Sequence, residues 1–267
     1  TSPVVICFRN LRDLLTGLIN DIEFSAGNWP PDPNYSTIIF LHGSGGTNIL
    51  WQYQVKALSE KMNAIAINLP GHGNSAGPGM DRIADYAKSV STFNKSINVR
   101  HPVICGLSIG GAIVLQLLID EQENFKGGII VNSGAKLKVM PLIFEIIEKD
   151  YLGFINLIYK FGVSQKTDPA KLKSLVESMA LCSAEVTRGD FNACNTFNVM
   201  EQLNKINTPV LVITASDDQL TPIKYGQFLA EHIQNATIAN IEDAGHLSPV
   251  ERPEEVTRII HDFTATI

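Results

Sequence analysis

Gly106-Leu107-Ser108-Ile109-Gly110 sets a serine between two glycines in the spacing G-x-S-x-G, an arrangement that can present a hydroxyl as a nucleophile. The same spacing recurs at Gly73-Asn74-Ser75-Ala76-Gly77, so the pattern alone decides nothing. Context separates the two. Ser108 follows the β-like run Pro102 to Cys105 and precedes the apolar, helix-like run Ala112 to Leu118. A tight strand–turn–helix junction lifts the hydroxyl out of a sheet, and its glycines let backbones approach closely. It also puts Ser108 at a helix N-terminus, where unpaired N–H groups favour a developing anion. Ser75 lies among Gly and Pro with no helix after it, and reads as a loop residue.

A serine nucleophile needs a base, and the base needs an orienting carboxylate. His246, in Glu242-Asp-Ala-Gly-His-Leu-Ser248, follows the β-like stretch Ala236 to Ile241 and precedes the last helix. That loop falls at the carboxyl end of a strand, where open α/β sheets build their sites. His101, His232 and His261 have polar neighbours and read as solvated, while His72 in Pro70-Gly-His-Gly73 reads as a loop-holding residue. The acid should also follow a strand. Val210 to Ile213 runs into Thr214-Ala-Ser-Asp-Asp-Gln-Leu-Thr-Pro222, which offers Asp217 and Asp218. One of these adjacent carboxylates can reach the imidazole while the other caps the next helix.

An oxyanion site completes the set. Leu41-His-Gly-Ser-Gly-Gly-Thr47 is a glycine-rich loop after a strand, and the backbone N–H groups of Ser44 and Ile109 are the expected donors. A phosphate cradle is a poor alternative. The loop lacks the Gly-Lys-Ser/Thr of a P-loop, and Asn48 stands at the third glycine of a dinucleotide fingerprint. No metal or organic cofactor is expected.

The elements that must position these groups are legible as short apolar runs: Ser36–Leu41, Ala64–Leu69, Pro102–Cys105, Gly128–Val131 and Pro209–Thr214. Each is nearly continuous in apolar residues, as in parallel strands covered on both faces. Helical patterns separate them. Ile83, Tyr86, Ala87, Val90 and Ile97 mark one face of residues 81–98. Pro253 opens a final helix with Val256, Ile259, Ile260 and Phe263 on one side. The alternation predicts an α/β fold with a doubly wound, mostly parallel sheet. Residues 136–205 break the rhythm, because helical periodicity continues there without strands. They read as a helical cap inserted between two strands, leaving 1–135 and 206–267 as the core.

These residues carry a family resemblance. The His42-Gly43 loop, Asn68-Leu-Pro-Gly-His-Gly-Asn-Ser75, Gly106-Leu-Ser-Ile-Gly-Gly111, Asp218 with Pro222, and Gly245-His246 with Glu251-Arg-Pro253 resemble the α/β-hydrolase-fold proteins. Within that family the chain is similar to the esterase/lipase-like group of small carboxylesterases, monoacylglycerol lipase-like enzymes and carbon–carbon bond hydrolases. The motifs span residues 36–262. The order Ser108, Asp218, His246 is the nucleophile–acid–base order of this fold. The family's carboxylate usually stands four residues before such a proline, which favours Asp218 over Asp217. Ala215, where glycine is frequent, and Asn68, where an acidic residue is common, depart from the pattern. A serine at the elbow disfavours the aspartate-dependent haloalkane dehalogenases and epoxide hydrolases.

The resemblance implies acyl transfer from a small or medium carboxylic ester to water, with short-chain monoacylglycerols in that class. A carbon–carbon bond hydrolase or thioesterase would use the same triad. A non-catalytic small-molecule receptor is a third reading, disfavoured because a receptor has no use for an intact triad. Leu142, Ile143, Phe144, Phe154, Ile155 and Phe161 in the cap either line an apolar acyl pocket or pack the cap against the core.

Composition narrows the remaining classes. With 21 Lys and Arg against 27 Asp and Glu, net charge −6, and no basic run, nucleic acid is not an expected partner. No apolar run nears the ~18 residues of a membrane span. Thr1 to Phe8 lack the features of a secretory signal. A cytoplasmic chain is therefore expected. Cys7, Cys105, Cys182 and Cys194 have no metal-site spacing. Cys105 reads as a buried, inert thiol; Cys182 and Cys194 could pair in principle but read as reduced.

Overall fold

The computed structural model describes residues 9–11 and 14–267. Cys7 and the Thr1–Phe8 segment read above for a targeting signal lie outside them. In chain order the strands are β1 (Arg9–Leu11), β2 (Leu14–Ile19), β3 (Ile22–Ala26), β4 (Thr37–Leu41), β5 (Asn63–Ile67), β6 (Val103–Leu107), β7 (Gly127–Val131), β8 (Val210–Ala215) and β9 (Ala236–Ile241). They form one sheet in the order β1-β2-β3-β5-β4-β6-β7-β8-β9. From β5 to β9 every neighbouring pair is parallel. The N-terminal strands pair antiparallel at the other edge. The hairpin between β2 and β3 turns on Asn20 and Asp21, both at positive φ (46° and 64°), the backbone of a two-residue turn that matches strand twist.

The central strands are buried on both faces, which is why they read as unbroken apolar runs. Ile39, Leu41, Ile65, Ile104 and Val212 face α2 (Ile83–Ser96) and α3 (Ile109–Glu121). Ile38, Phe40, Cys105, Ile129 and Leu211 face α1 (Gln52–Leu58) and the C-terminal helix (Pro253–Thr266). Trp51 stacks on Phe40 with ring centroids 4.8 Å apart and donates its indole N–H to Leu41 O. Each such side chain contributes roughly 1.5–3 kcal/mol of burial before conformational entropy is set against it.

Register decides where function can sit. Leu41 pairs with Gly106, Leu107 with Val131, Val131 with Ile213, and Ala215 with Ile241. The carboxyl ends of five parallel strands are thus level, and the loops after Leu41, Leu107, Val131, Ala215 and Ile241 all leave from one edge. Between β7 and β8 the chain makes no strand of the sheet. It forms α4 (Pro141–Lys149), α5 (Tyr151–Gly162), α6 (Lys173–Met179) and α7 (Ala184–Thr196), placing a helical cap between two strands. Its stems meet where Val199 N–H donates to Ala135 O at 2.8 Å and Lys136 bridges Asn198. Ile147, Phe154 and Ile155 form a small core within the cap. After β8 come α8 (Lys224–His232), α9 (Ser248–Glu251) and α10, the C-terminal helix named above. Among the described residues no helix is long and apolar enough to cross a membrane.

Candidate active site

Ser108 is held at φ 56°, ψ −116°, a backbone region that side chains rarely adopt. Such strain costs about 1–3 kcal/mol and persists only where the surroundings impose it. They do so here. A Cβ on Gly106 would stand 2.2 Å from the carbonyl of Gly110, and one on Gly110 would stand 2.6 Å from Leu41 O. Glycine at both positions lets the turn close against the neighbouring strand. Ser108 N–H donates to Val131 O at 3.0 Å, and its carbonyl accepts from Ser133 Oγ at 2.7 Å. By contrast Ser75 is tied up as a loop fastener, donating to Asn68 O and accepting from Glu23 N–H.

His246 and Asp218 come together from two loops. His246 Nδ1 donates to Asp218 Oδ2 at 2.9 Å, which fixes the proton on Nδ1 and leaves Nε2 as the basic nitrogen. Asp218 also accepts from the N–H groups of Leu220 and Thr221 and from Thr221 Oγ1 at 2.6 Å. Burial by itself would raise the Asp218 pKa, but the His246 ring and the Thr221 hydrogen bonds outweigh it and hold the carboxyl below its ordinary value. One expectation is corrected here. The second carboxylate, Asp217, caps no helix; it accepts from Ser164 Oγ of the cap at 2.5 Å. Asp218 alone serves both the imidazole and the following turn.

Two residues that sequence reasoning left without a role hold the histidine loop. Asn132, at φ 45° just after β7, donates its side-chain amide to His246 O at 2.9 Å and to Ser248 Oγ at 3.0 Å. Glu251, fully buried, accepts from Gly245 N–H and Leu247 N–H on either side of His246. Its Oε2 also takes the Ser164 N–H and the Thr167 hydroxyl of the cap. The Glu251-Arg-Pro253 motif was the available signal for one of them. Asn132 carried none beyond its place after a strand.

The loop after β4 lies beside the serine. A Cβ on Gly43 would sit 3.7 Å from Ser108 Cβ, and Gly43, Ser44 and Gly46 face the same cavity as Ser108. Gly46 N–H donates to Gly43 O at 3.0 Å, closing Gly43–Gly46 into a turn. Ile109 opens α3 directly after Ser108, so its amide lies in the first turn of that helix. His42 braces the loop from below: Nδ1 donates to Gly43 O, and Nε2 accepts Leu69 N–H at 3.0 Å. Burial, and secondarily the adjacent His72, lower the His42 pKa well below its ordinary value. Asn68, where an acid is common, has a physical reason here. Its amide accepts from Asn48 N–H and donates to Glu23, two roles a carboxylate cannot combine.

These loops open on a cavity of about 300 Å3 lined by Ser108, His246 and a mainly apolar wall that includes Leu50, Ile143, Ile158, Met179 and Phe191. Of the six cap residues read as lining it or packing the cap, Ile143 lines it; Leu142, Phe144, Phe154, Ile155 and Phe161 do not. Phe154 and Ile155 face inward in the cap's own core, Leu142 projects to solvent, and Phe144 lies beneath the Arg188 guanidinium. Helical period alone did not tell which side of α4 and α5 met the core and which met the cavity; Ile143 and Ile158 do the latter. Cys105, Cys182 and Cys194 are buried free thiols, so Cys182 and Cys194 do not pair. Burial pushes the Cys105 thiol well up, consistent with an inert core residue.

The fold and this arrangement of loops define a hydrolase class: residues 38–259 match the alpha/beta hydrolase family, and the chain belongs to it. Among its relatives, 3-oxoadipate enol-lactonase 1 of Acinetobacter baylyi is 28% identical over 246 residues, covering 88% of this chain and 90% of that one. A pimeloyl-[acyl-carrier protein] methyl ester esterase of Nitrosomonas europaea is 23% identical, covering 83% of this chain and 93% of its own length. Among solved structures, an enol-lactonase from Burkholderia xenovorans superposes with a TM-score of 0.85 at 20% identity, covering 94% of this chain and 99% of that one.

Proposed function

We propose that the chain hydrolyses small carboxylic esters through an acyl-enzyme formed on Ser108. The observation that carries this is the buried Asp218–His246 pair, 2.9 Å apart, beside a strained serine on the wall of one apolar cavity. In this reading Ser108 Oγ attacks the ester carbonyl while His246 Nε2 takes its proton. Asp218, already ionised and hydrogen-bonded, stabilises the imidazolium without being protonated itself. The amides of Ser44 and Ile109 receive the oxyanion. His246 then protonates the departing alcohol, and water activated by the same nitrogen releases the acid. Residues 136–205 act as the cap that closes the cavity over the core formed by 1–135 and 206–267.

A second reading concerns the substrate. Lys138 is a cation on the cavity wall, so an ester or lactone bearing a distal carboxylate would find a counter-charge there. The relatives named as enol-lactonases and as a methyl ester esterase support both ring-opening and linear ester hydrolysis as candidate reactions.

The test is labelling with a fluorophosphonate probe, followed by turnover of p-nitrophenyl esters of increasing acyl length, with Ser108→Ala as control. Labelled, active wild type and an inert variant are expected. Absence of both labelling and turnover in wild type sinks the hydrolase reading.

A further inference from the structure

One buried carboxylate outside the serine–histidine–aspartate set is supplied to the core by the cap. Asp190, in the middle of α7, is fully buried, yet all its visible partners belong to the core. Its Oδ2 accepts Gly45 N–H at 2.8 Å and His72 Nε2–H at 2.9 Å; its Oδ1 accepts the Tyr86 hydroxyl at 2.5 Å. Gly45 is the second inner residue of the Gly43–Gly46 turn, immediately after Ser44. The loop and the helix are in close contact, since a Cβ on Gly45 would stand 2.9 Å from Thr187 Oγ1 on α7.

We propose that Asp190 is a positioning residue for the oxyanion loop, delivered by the cap, so that seating the cap and assembling the anion site are one event. The inference rests on the acyl-enzyme reading above. Fixing the Gly45 N–H fixes the Ser44–Gly45 peptide plane. With the Gly46-to-Gly43 hydrogen bond closing the other side, the Ser44 amide has one orientation left. Donors contribute to a developing oxyanion only when they are pre-aimed, and small misplacement is expensive.

A bare carboxylate this close to an anion site would repel the charge it is meant to help hold. His72 removes that objection. Its Nδ1 faces Pro70 O at 3.1 Å and its Nε2 faces Asp190, so both ring nitrogens meet acceptors and the ring carries both protons. Asp190 and His72 form a neutral ion pair that presents an acceptor to Gly45 without a net negative charge. Tyr86 takes the remaining oxygen and in turn accepts Met80 N–H at 3.0 Å.

The experiment compares kcat and KM of three variants on a p-nitrophenyl ester, with melting temperature recorded for each. Asp190→Ala is expected to lower kcat by about 10- to 100-fold with KM within about threefold of wild type. Asp190→Asn keeps the shape and an uncharged acceptor, and should fall between Ala and wild type. Tyr86→Phe removes the Oδ1 partner and the acceptor of Met80 N–H but leaves the Oδ2 bond to Gly45 in place, and should lower the melting temperature while keeping kcat within about threefold. Wild-type kcat in Asp190→Ala overturns the proposal, as does equal loss of kcat in Tyr86→Phe. If Asp190→Ala does not fold, Asp190→Asn decides: wild-type kcat in that variant overturns it. Wild type that neither labels with fluorophosphonate nor turns over would instead fail the underlying reading.

Discussion

Asn132 donates its side-chain amide to the main-chain carbonyl of His246 at 2.9 Å, and the next residue, Ser133, donates to the carbonyl of Ser108 at 2.7 Å. Two consecutive residues after β7 thereby hold the backbones of both proposed reacting residues. The relation of His246 to Ser108 is set by the sheet, through loops that share its edge.

Removing members of the proposed triad should therefore abolish chemistry while leaving the fold intact. Ser108→Ala and His246→Ala are each expected to lower kcat by roughly 10^3-fold or more. Asp218→Asn should cost a similar factor by disturbing the tautomer of His246. Steady-state kinetics with circular dichroism of each variant makes the check.

Glu251 offers a sharper structural test. Both its oxygens receive backbone N–H groups, so Glu251→Gln must turn an NH2 toward a donor whichever way the amide sits. A loss of about 3 kcal/mol in urea unfolding is expected, together with lower kcat as the His246 loop relaxes. Wild-type stability in this variant would contradict the role assigned to it.

Phe154 separates cap packing from substrate contact. It is buried against Ile155 and edge-on to Phe191, 5.4 Å between ring centroids. Phe154→Ala should destabilise by about 3–5 kcal/mol. Its preference among acyl lengths should stay that of wild type, whereas Ile143→Ala, on the cavity wall, should shift turnover toward longer chains. A panel of p-nitrophenyl esters reads both outcomes.

The ion pair of His72 predicts a basic limb of stability. Burial alone would lower the His72 pKa, but Asp190 reverses this and raises it to about 10. The folded state then binds a proton more tightly than the unfolded chain does. Its contribution is complete below the unfolded value of about 6.5 and is lost as pH rises toward 10. His42, lowered by burial and by His72, works oppositely and weakens folding as pH falls below about 6.5. Urea midpoints from pH 6 to 10 should fall in wild type, with a flatter profile in Asp190→Asn; equal slopes would refute the pairing.

Much of this molecule is written locally. Strands covered on both faces must be apolar throughout, so β4 to β8 stood out, and turns that only glycine can close marked the loops around Ser108 and Ser44. The β2–β3 hairpin was equally encoded, in Asn20-Asp21 between apolar runs, but no motif drew attention to it. What only tertiary structure decided is which partners meet across the chain. Asp217 and Asp218 are adjacent and chemically identical, and the fold sends one to Ser164 and the other to His246. Asp190 and Gly45 lie 145 residues apart, joined because α7 settles on the loop after β4. Periodicity gives a helix its buried side without saying what covers it. For α4 and α5, contact with core, cavity or solvent follows from the geometry of packing, a property of the assembled chain.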